Sequence, residues 1–217
     1  MSQITRIIPQ KRKKGRLNIF IDARFAFGIK EEIALEFGLK VGQDIEQEEV
    51  NRLLKREESA KLMDAALHFL SFRQRSEKEI TDFLVKKIKT VNDIDYKQAK
   101  ESLLIYEIIK KLKKYGYLDD LLFAKSFVES RARSRQKGRM GLKFELIKKG
   151  ISKEIADQVI ENQNEELLAK KALEKKIERF IKLEPNESKK KIFSFLLSRG
   201  FTIDTAKKVF AFYKDKR

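Results

Sequence analysis

The sequence predicts a mainly helical chain. It should be built as tandem three-helix repeats in an elongated array, with a small β-containing module at its N-terminal end. Three observations predict this. Apolar residues recur at i, i+3 and i+4 almost without interruption after Ser59, the spacing that lines one face of a helix. Capping residues and helix-stopping glycines punctuate that pattern, among them Ser76, Asp119, Gly150, Ser152, Gly200 and Thr202. Third, the chain repeats itself. A-x-x-F-x-x-x-R-x-R-S occurs at Ala66 to Ser76 and again at Ala124 to Ser134, a constant offset of 58 residues. L-x-x-x-G-[IF]-[ST]-x-x-x-A-x-x-V-[IF] occurs at Leu146 to Ile160 and again at Leu196 to Phe210, an offset of 50. Self-similarity of this kind marks stacked units, each burying a face it cannot bury alone.

Four segments follow in chain order: 1–46, 47–118, 119–163 and 164–217. In the first, Ile4 to Ile8 form a short apolar run stopped by Pro9. Leu17, Ile19 and Ile21, then Phe25, Phe27 and Ile29, alternate with their neighbours across the link Asp22-Ala23-Arg24, which predicts a hairpin. A short helix over Glu31 to Phe37 should stop at Gly38, with a further turn at Gly42. Gln47 to Glu58 is acid-rich and carries Val50, Leu53 and Leu54 at helical spacing. It is expected to be a connecting helix whose acids form a solvated face or else shield a basic groove.

The first repeat then takes Leu62, Ala65, Ala66, Phe69 and Leu70 inward, and ends that helix near Phe72. Ser76 with Glu79 is a capping-box pattern, in which the hydroxyl caps an orphan amide while the carboxylate reaches back. Ile80, Phe83, Leu84 and Ile88 mark its second helix. Asp93 or Asp95 should cap the third, with Leu103, Leu104, Ile108, Ile109 and Leu112 inward. In the second repeat Asp119 or Asp120 caps a helix burying Phe123, Ala124, Phe127 and Val128. Leu142, Leu146 and Ile147 mark the next helix, and Ser152 caps the last. The third repeat starts near Glu165, breaks at Glu184-Pro185-Asn186, and ends on a helix capped by Thr202.

Charge narrows the function. Lys and Arg outnumber Asp and Glu by 50 to 33, a net charge of +17, which favours polyanionic partners, nucleic acid first. Cysteine is absent, excluding disulfides, thiolate metal sites and cysteine nucleophiles. The single histidine, His68, lies between apolar residues on a predicted helix, with no nucleophile motif around it. No phosphate-binding glycine loop or metal-spaced cluster is present, and Asp119-Asp120 are accounted for as caps. No enzyme activity, cofactor or metal is expected. No signal peptide, spanning helix or membrane partner is expected either, so a cytoplasmic, monomeric protein is anticipated.

The candidate contact residues form one constellation. Arg131, Arg133, Arg135, Lys137 and Arg139 recur at every second position, with Lys143 beyond and no acid between. Arg73 and Arg75 repeat the theme one unit earlier. Gly138-Arg139-Met140-Gly141 suggests a flexible basic loop between two helices. Guanidinium groups pair bidentately with phosphates or carboxylates, so these residues are expected to touch a polyanion. Lys11, Arg12, Lys13 and Lys14, in a turn of the N-terminal module, are weaker candidates for the same task.

These residues carry a resemblance to the RecX regulatory proteins. It rests on A-L-x-F-L-x-x-R-x-R-S with Glu77 and Glu79 after it, G-Y-L-D-D-x-x-F-A at Gly116 to Ala124, and the run Arg131 to Gly141. E-L-x-x-K-G-I-S at Glu145 to Ser152 and L-x-x-R-G-F at Leu196 to Phe201 continue it. Many relatives carry proline within R-x-R, where this chain has Gln74. The resemblance implies binding to the RecA nucleoprotein filament, with inhibition of its ATPase and strand exchange, a role in homologous recombination, DNA repair and the SOS response, and contact with single- or double-stranded DNA. It carries no catalytic residues over. An independent DNA-binding helical-repeat protein is the alternative.

Overall fold

The computed structural model describes residues 2–214, without the side chains of 91 and 92. The chain divides into two compact units, Met1–Phe69 with Glu101–Ile108, and Leu70–Lys100 with Ile109–Arg217.

The first unit begins with strands β1 (Ser2–Pro9), β2 (Arg16–Ile21) and β3 (Arg24–Lys30), followed by helix α1 (Glu31–Glu36), strand β4 (Asp44–Ile45) and helix α2 (Gln47–Ser71). All pairings are antiparallel, in the order β3-β2-β1-β4. The β2–β3 turn places Asp22 and Ala23 at φ 49° and 64°. Two consecutive left-handed residues match the right-handed twist of the flanking strands. Ile4, Ile19, Phe27 and Ile29 point to one face and are buried against Ile33 and Ala34 of α1 and Leu53 and Ala60 of α2.

Two expectations are corrected here. The connecting helix and the first repeat helix are one 25-residue element, α2, because no glycine, proline or effective cap interrupts the sequence near Ser59. Nor are the acids of that segment only a solvated face. Glu57 is buried, accepting from Arg16 Nη2 (2.5 Å) and from the Lys30 amide (2.9 Å). A charge taken out of water needs such partners, and this one ties α2 to the sheet.

The second unit holds α3 (Glu77–Asn92), α4 (Tyr96–Lys100), the later part of α5 (Leu103–Lys114), α6 (Asp120–Ser134), α7 (Arg139–Lys148) and α8 (Lys153–Glu161). It continues with α9 (Glu165–Leu173), α10 (Ile177–Ile181), α11 (Pro185–Ser198) and α12 (Ile203–Lys214). The predicted third helix of the first repeat is split at Glu101-Ser102, and Leu103 is exposed. The cause is apolar phase: buried Ala99 and Ile108 would fall on opposite sides of one continuous helix. Asp95 caps α4, accepting from the Gln98 amide at 2.8 Å, and Asp93 takes the left-handed stop of α3 at φ 50°. In the third repeat a tight turn, with the Lys176 amide on the Leu173 carbonyl at 2.7 Å, divides α9 from α10. Pro185 occupies the first turn of α11, where its missing N–H costs nothing.

Helices α6, α7 and α8 share one core of Phe123, Ala124, Val128, Leu142, Leu146, Ile151, Ala156 and Ile160. Helices α9 to α12 share another, built on Leu168, Leu173, Phe180, Ile192, Leu196, Phe201 and Val209. Leu54 and Ile147, read as members of helical apolar stripes, are exposed.

Candidate functional site

Ser76, Asp119, Ser152 and Thr202 cap their own helices as predicted, their side-chain oxygens accepting from the amides of Glu79, Leu122, Ile155 and Thr205. What the sequence did not reveal is that helix ends of successive repeats also cap each other. At the first joint Ser76 is fully buried, and its hydroxyl donates to the Lys149 carbonyl at the end of α7 (2.6 Å). Asp120 accepts from the Glu77 amide at the start of α3 (2.9 Å). Burial pushes the Asp120 carboxyl up, against the pull of that amide. Asp119 thus caps α6, while its neighbour caps the preceding repeat. Gly150, at φ 85°, lies against the Lys78 side chain.

The second joint reuses the plan. The Gly138 amide at the start of α7 donates to the Arg199 carbonyl (3.1 Å) and the Met140 amide to that of Gly200 (3.2 Å). Glu165 plays the part of Asp120, accepting from the Arg139 amide (2.8 Å) and from Thr205 Oγ1 (2.8 Å). The backbones approach so closely that a Cβ on Gly138 would sit 2.2 Å from the Gly200 oxygen, and one on Gly141 2.4 Å from the Arg199 oxygen. The expected flexible basic loop is therefore corrected. Helix α6 carries Arg131 and Arg133 to Ser134, α7 begins at Arg139, and the two glycines are packing residues.

The joints also engage much of the predicted basic constellation. Arg73 grips Glu79 bidentately (2.9 and 3.0 Å), and Lys149 Nζ bonds the same carboxylate. The capping box is thus half formed: Glu79 turns to these cations and not back to residue 76. Burial would raise the Glu79 pKa, but the Arg73 and Lys149 bonds outweigh it and hold it at about 2. Arg131 (2.7 Å) and Lys137 (2.8 Å) share Glu145. Burial there is likewise outweighed by the two cations, leaving that carboxyl below its usual range. Arg139 Nη2 caps α8 through the carbonyls of Glu161 (3.1 Å) and Gln163 (3.2 Å). Lys143 pairs with Asp157 at 2.5 Å. Arg75 is half-buried, and burial, with Arg73 beside it, lowers its pKa.

Arg133 and Arg135 stand apart. Arg133 is 78% exposed, with only a 3.4 Å contact to Glu129 on its own helix, and the guanidinium of exposed Arg135 has no bonded partner among the described residues. A groove of about 420 Å³ is lined by Arg73, Phe123, Ser126, Phe127, Arg131 and Lys149. The Arg131 guanidinium lies over the Phe127 ring at 4.7 Å. Lys149 was missed as a candidate. Its signal was the basic residue before the helix-stop glycine in both copies of the repeat, Lys149-Gly150 and Arg199-Gly200. Lys11, Arg12, Lys13 and Lys14 occupy the exposed β1–β2 turn in the other unit. Among the described residues no group of His, Asp or Glu is placed to hold a metal ion, and no helix is long and apolar enough to cross a membrane.

Three-helix units joined through reciprocal helix caps, in a chain that also carries a small β module, define a helical-repeat protein with basic joints. The comparisons place it more closely. Family models described as "Regulatory protein RecX N-terminal domain", "RecX, second three-helix domain" and "RecX, third three-helix domain" match residues 2–46, 119–160 and 164–210. A protein named regulatory protein RecX from Listeria monocytogenes serotype 4a is 34% identical over 209 residues, 94% of this chain and 73% of its own length. One of the same name from Halalkalibacterium halodurans is 33% identical over 220 residues, 97% and 78% of the two chains. A crystal structure of regulatory protein RecX superposes with a TM-score of 0.72 at 26% identity, over 96% of this chain and 98% of that one. The chain belongs to the RecX family of regulatory proteins.

Proposed function

We propose that this protein is a non-enzymatic regulator that binds the RecA recombinase filament in the cytoplasm and modulates its ATPase, strand exchange and filament dynamics during recombinational DNA repair. The observation that carries the reading is the RecX relationship, sustained over nearly the whole chain. The basic joints give it a physical means. The cations beside the groove are held in place by Glu79 and Glu145, so little side-chain entropy remains to be lost on binding. Arg133 and Arg135 are the pair of that constellation left to meet a phosphate or a carboxylate of the filament, and Arg73, Arg75, Arg131, Lys137, Arg139 and Lys143 add to the basic surface. The test is RecA ATPase on single-stranded DNA, with co-sedimentation of the two proteins. Inhibition and co-sedimentation are expected at stoichiometric amounts, both weakened by Arg133→Glu with Arg135→Glu. An unchanged ATPase with no co-sedimentation sinks the reading.

The exposure of Arg133 and Arg135 also suits a second reading, DNA binding independent of RecA. That reading requires binding to naked DNA that falls steeply with salt and is lost in the same double variant.

A further inference from the structure

We infer that the outward face of the β1–β2–β3 sheet is a stacking platform for single-stranded DNA. The choice of DNA over RNA rests on the filament reading above.

An antiparallel sheet with one face on a core ordinarily turns polar residues to water. Here the face opposite Ile4, Ile19, Phe27 and Ile29 carries a row of different character. Arg6 pairs in register with Phe20, and Phe20 with Phe25, across all three strands. Phe25 is 59% exposed. The two rings meet edge to face with centroids 5.9 Å apart, and the Arg6 guanidinium lies 4.4 Å from the Phe20 centroid. The next row is Ile8, Asn18 and Gly28, where Gln10 Nε2 donates to Asn18 Oδ1 (2.8 Å). The Gln10 amide lies over Gly28, where a Cβ would meet Gln10 Nε2 at 2.6 Å.

Beyond these rows, about 13 Å from Phe20 along β2, lies the exposed turn with Lys11, Arg12, Lys13 and Lys14. Their ammonium and guanidinium groups have no bonded partner among the described residues. The first acidic residue of the chain is Asp22, at the hairpin turn, with its carboxylate on the Gln3 amide (2.9 Å).

Aromatic rings with a stacked arginine, leading to a run of cations, are the chemistry that takes unpaired bases and their phosphates together. A duplex keeps its base faces stacked inside and offers Phe25 nothing. An acidic protein segment would use the cations and gain nothing from the rings.

The test uses the full chain without RecA, so its failure leaves the filament reading standing. Binding is followed by fluorescence anisotropy with oligo(dT), a hairpin duplex with the same number of phosphates, and a polyglutamate peptide. Phe25→Ala should weaken oligo(dT) binding by about fivefold or more and leave the other two probes unchanged. Phe25→Trp should keep oligo(dT) binding. Lys13→Glu with Lys14→Glu should lower the salt slope for oligo(dT) by about 0.7 per cation removed. Unchanged oligo(dT) binding by Phe25→Ala, or a loss shared by all three probes, would overturn the inference.

Discussion

Replacing Gly200 by alanine tests whether the glycines of the repeats are helix stops or structural joints. Gly200 has φ 78°, and a Cβ on it would stand 2.1 Å from the Gly141 nitrogen and 2.5 Å from its Cα. These are backbone atoms of α7, and they cannot withdraw without stretching the Gly138–Arg199 and Met140–Gly200 bonds. Two costs add. An L-residue held in the left-handed region costs about 1–2 kcal/mol, and forcing packed elements apart costs about 1–3 kcal/mol more. Gly116 supplies the control: its φ is 73°, but a Cβ there meets nothing within 4 Å. Gly116→Ala should therefore cost about 1–2 kcal/mol and Gly200→Ala about 2–5 kcal/mol. Urea unfolding followed by far-ultraviolet circular dichroism gives both values. Hydrogen exchange of the Gly138 and Met140 amides should quicken only in the Gly200 variant. Equal destabilisation by the two substitutions, with those amides still protected, would refute the joint.

Further substitutions probe the other polar ties. The Glu79 carboxylate has a pKa of about 2 in the folded chain, below its usual value of 4.5. Its stabilising contribution is complete above the unfolded value and drains away as pH falls from there toward the folded one. Glu79→Gln should accordingly flatten the acid-side loss of the urea midpoint, and a variant as acid-sensitive as the parent counts against the Arg73–Glu79–Lys149 cluster. Ser76→Ala removes a buried hydroxyl bonded to both the Lys149 carbonyl and the Glu79 amide, an expected loss of about 1–2 kcal/mol in urea unfolding. Glu57→Ala leaves Arg16 and the Lys30 amide without their partner and should cost about 3 kcal/mol. The exposed Glu48→Ala on the same helix should stay within about 0.5 kcal/mol by the same measurement.

Which of these ties could be read in the sequence depended on how far apart their partners lie. Ser76, Asp119, Ser152 and Thr202 each bond an amide three residues on, so type and spacing alone announced them. The repeats were legible for the same reason, since a recurring A-x-x-V-[IF] or R-x-R-S is local text. Glu57 was misjudged because Arg16 lies 41 residues away; nothing near an acid on a helix says that a strand will bring it a guanidinium. Gly138 and Gly141 read as a flexible loop in the sequence because the backbone that excludes a side chain there belongs to Arg199 and Gly200. The split between α4 and α5 was legible in principle, from the phase jump between Ala99 and Ile108. An assumed continuous stripe hid it.

The joints change what the repeated residues mean. Lys149-Gly150 and Arg199-Gly200 stand at matching places in their repeats. The carbonyl before each glycine receives the start of the preceding repeat's second helix, from Ser76 in one case and from Gly138 in the other. Asp120 and Glu165 match in the same way. Much of the sequence similarity between repeats is thus the signature of one repeat gripping the next. It says less about a partner than its basic character suggests. Charge conservation supplies what is left over: Arg73 and Lys149 share one carboxylate, Glu79, while Arg131 and Lys137 share Glu145. Each cluster keeps one uncompensated positive charge, and Arg73, Arg131 and Lys149 line one groove with Phe127; Arg133 and Arg135 add exposed charge at the end of α6. A polyanion approaching the second repeat meets cations already held by their own carboxylates, which is a stronger basis for recognition than a mobile basic loop with the same composition.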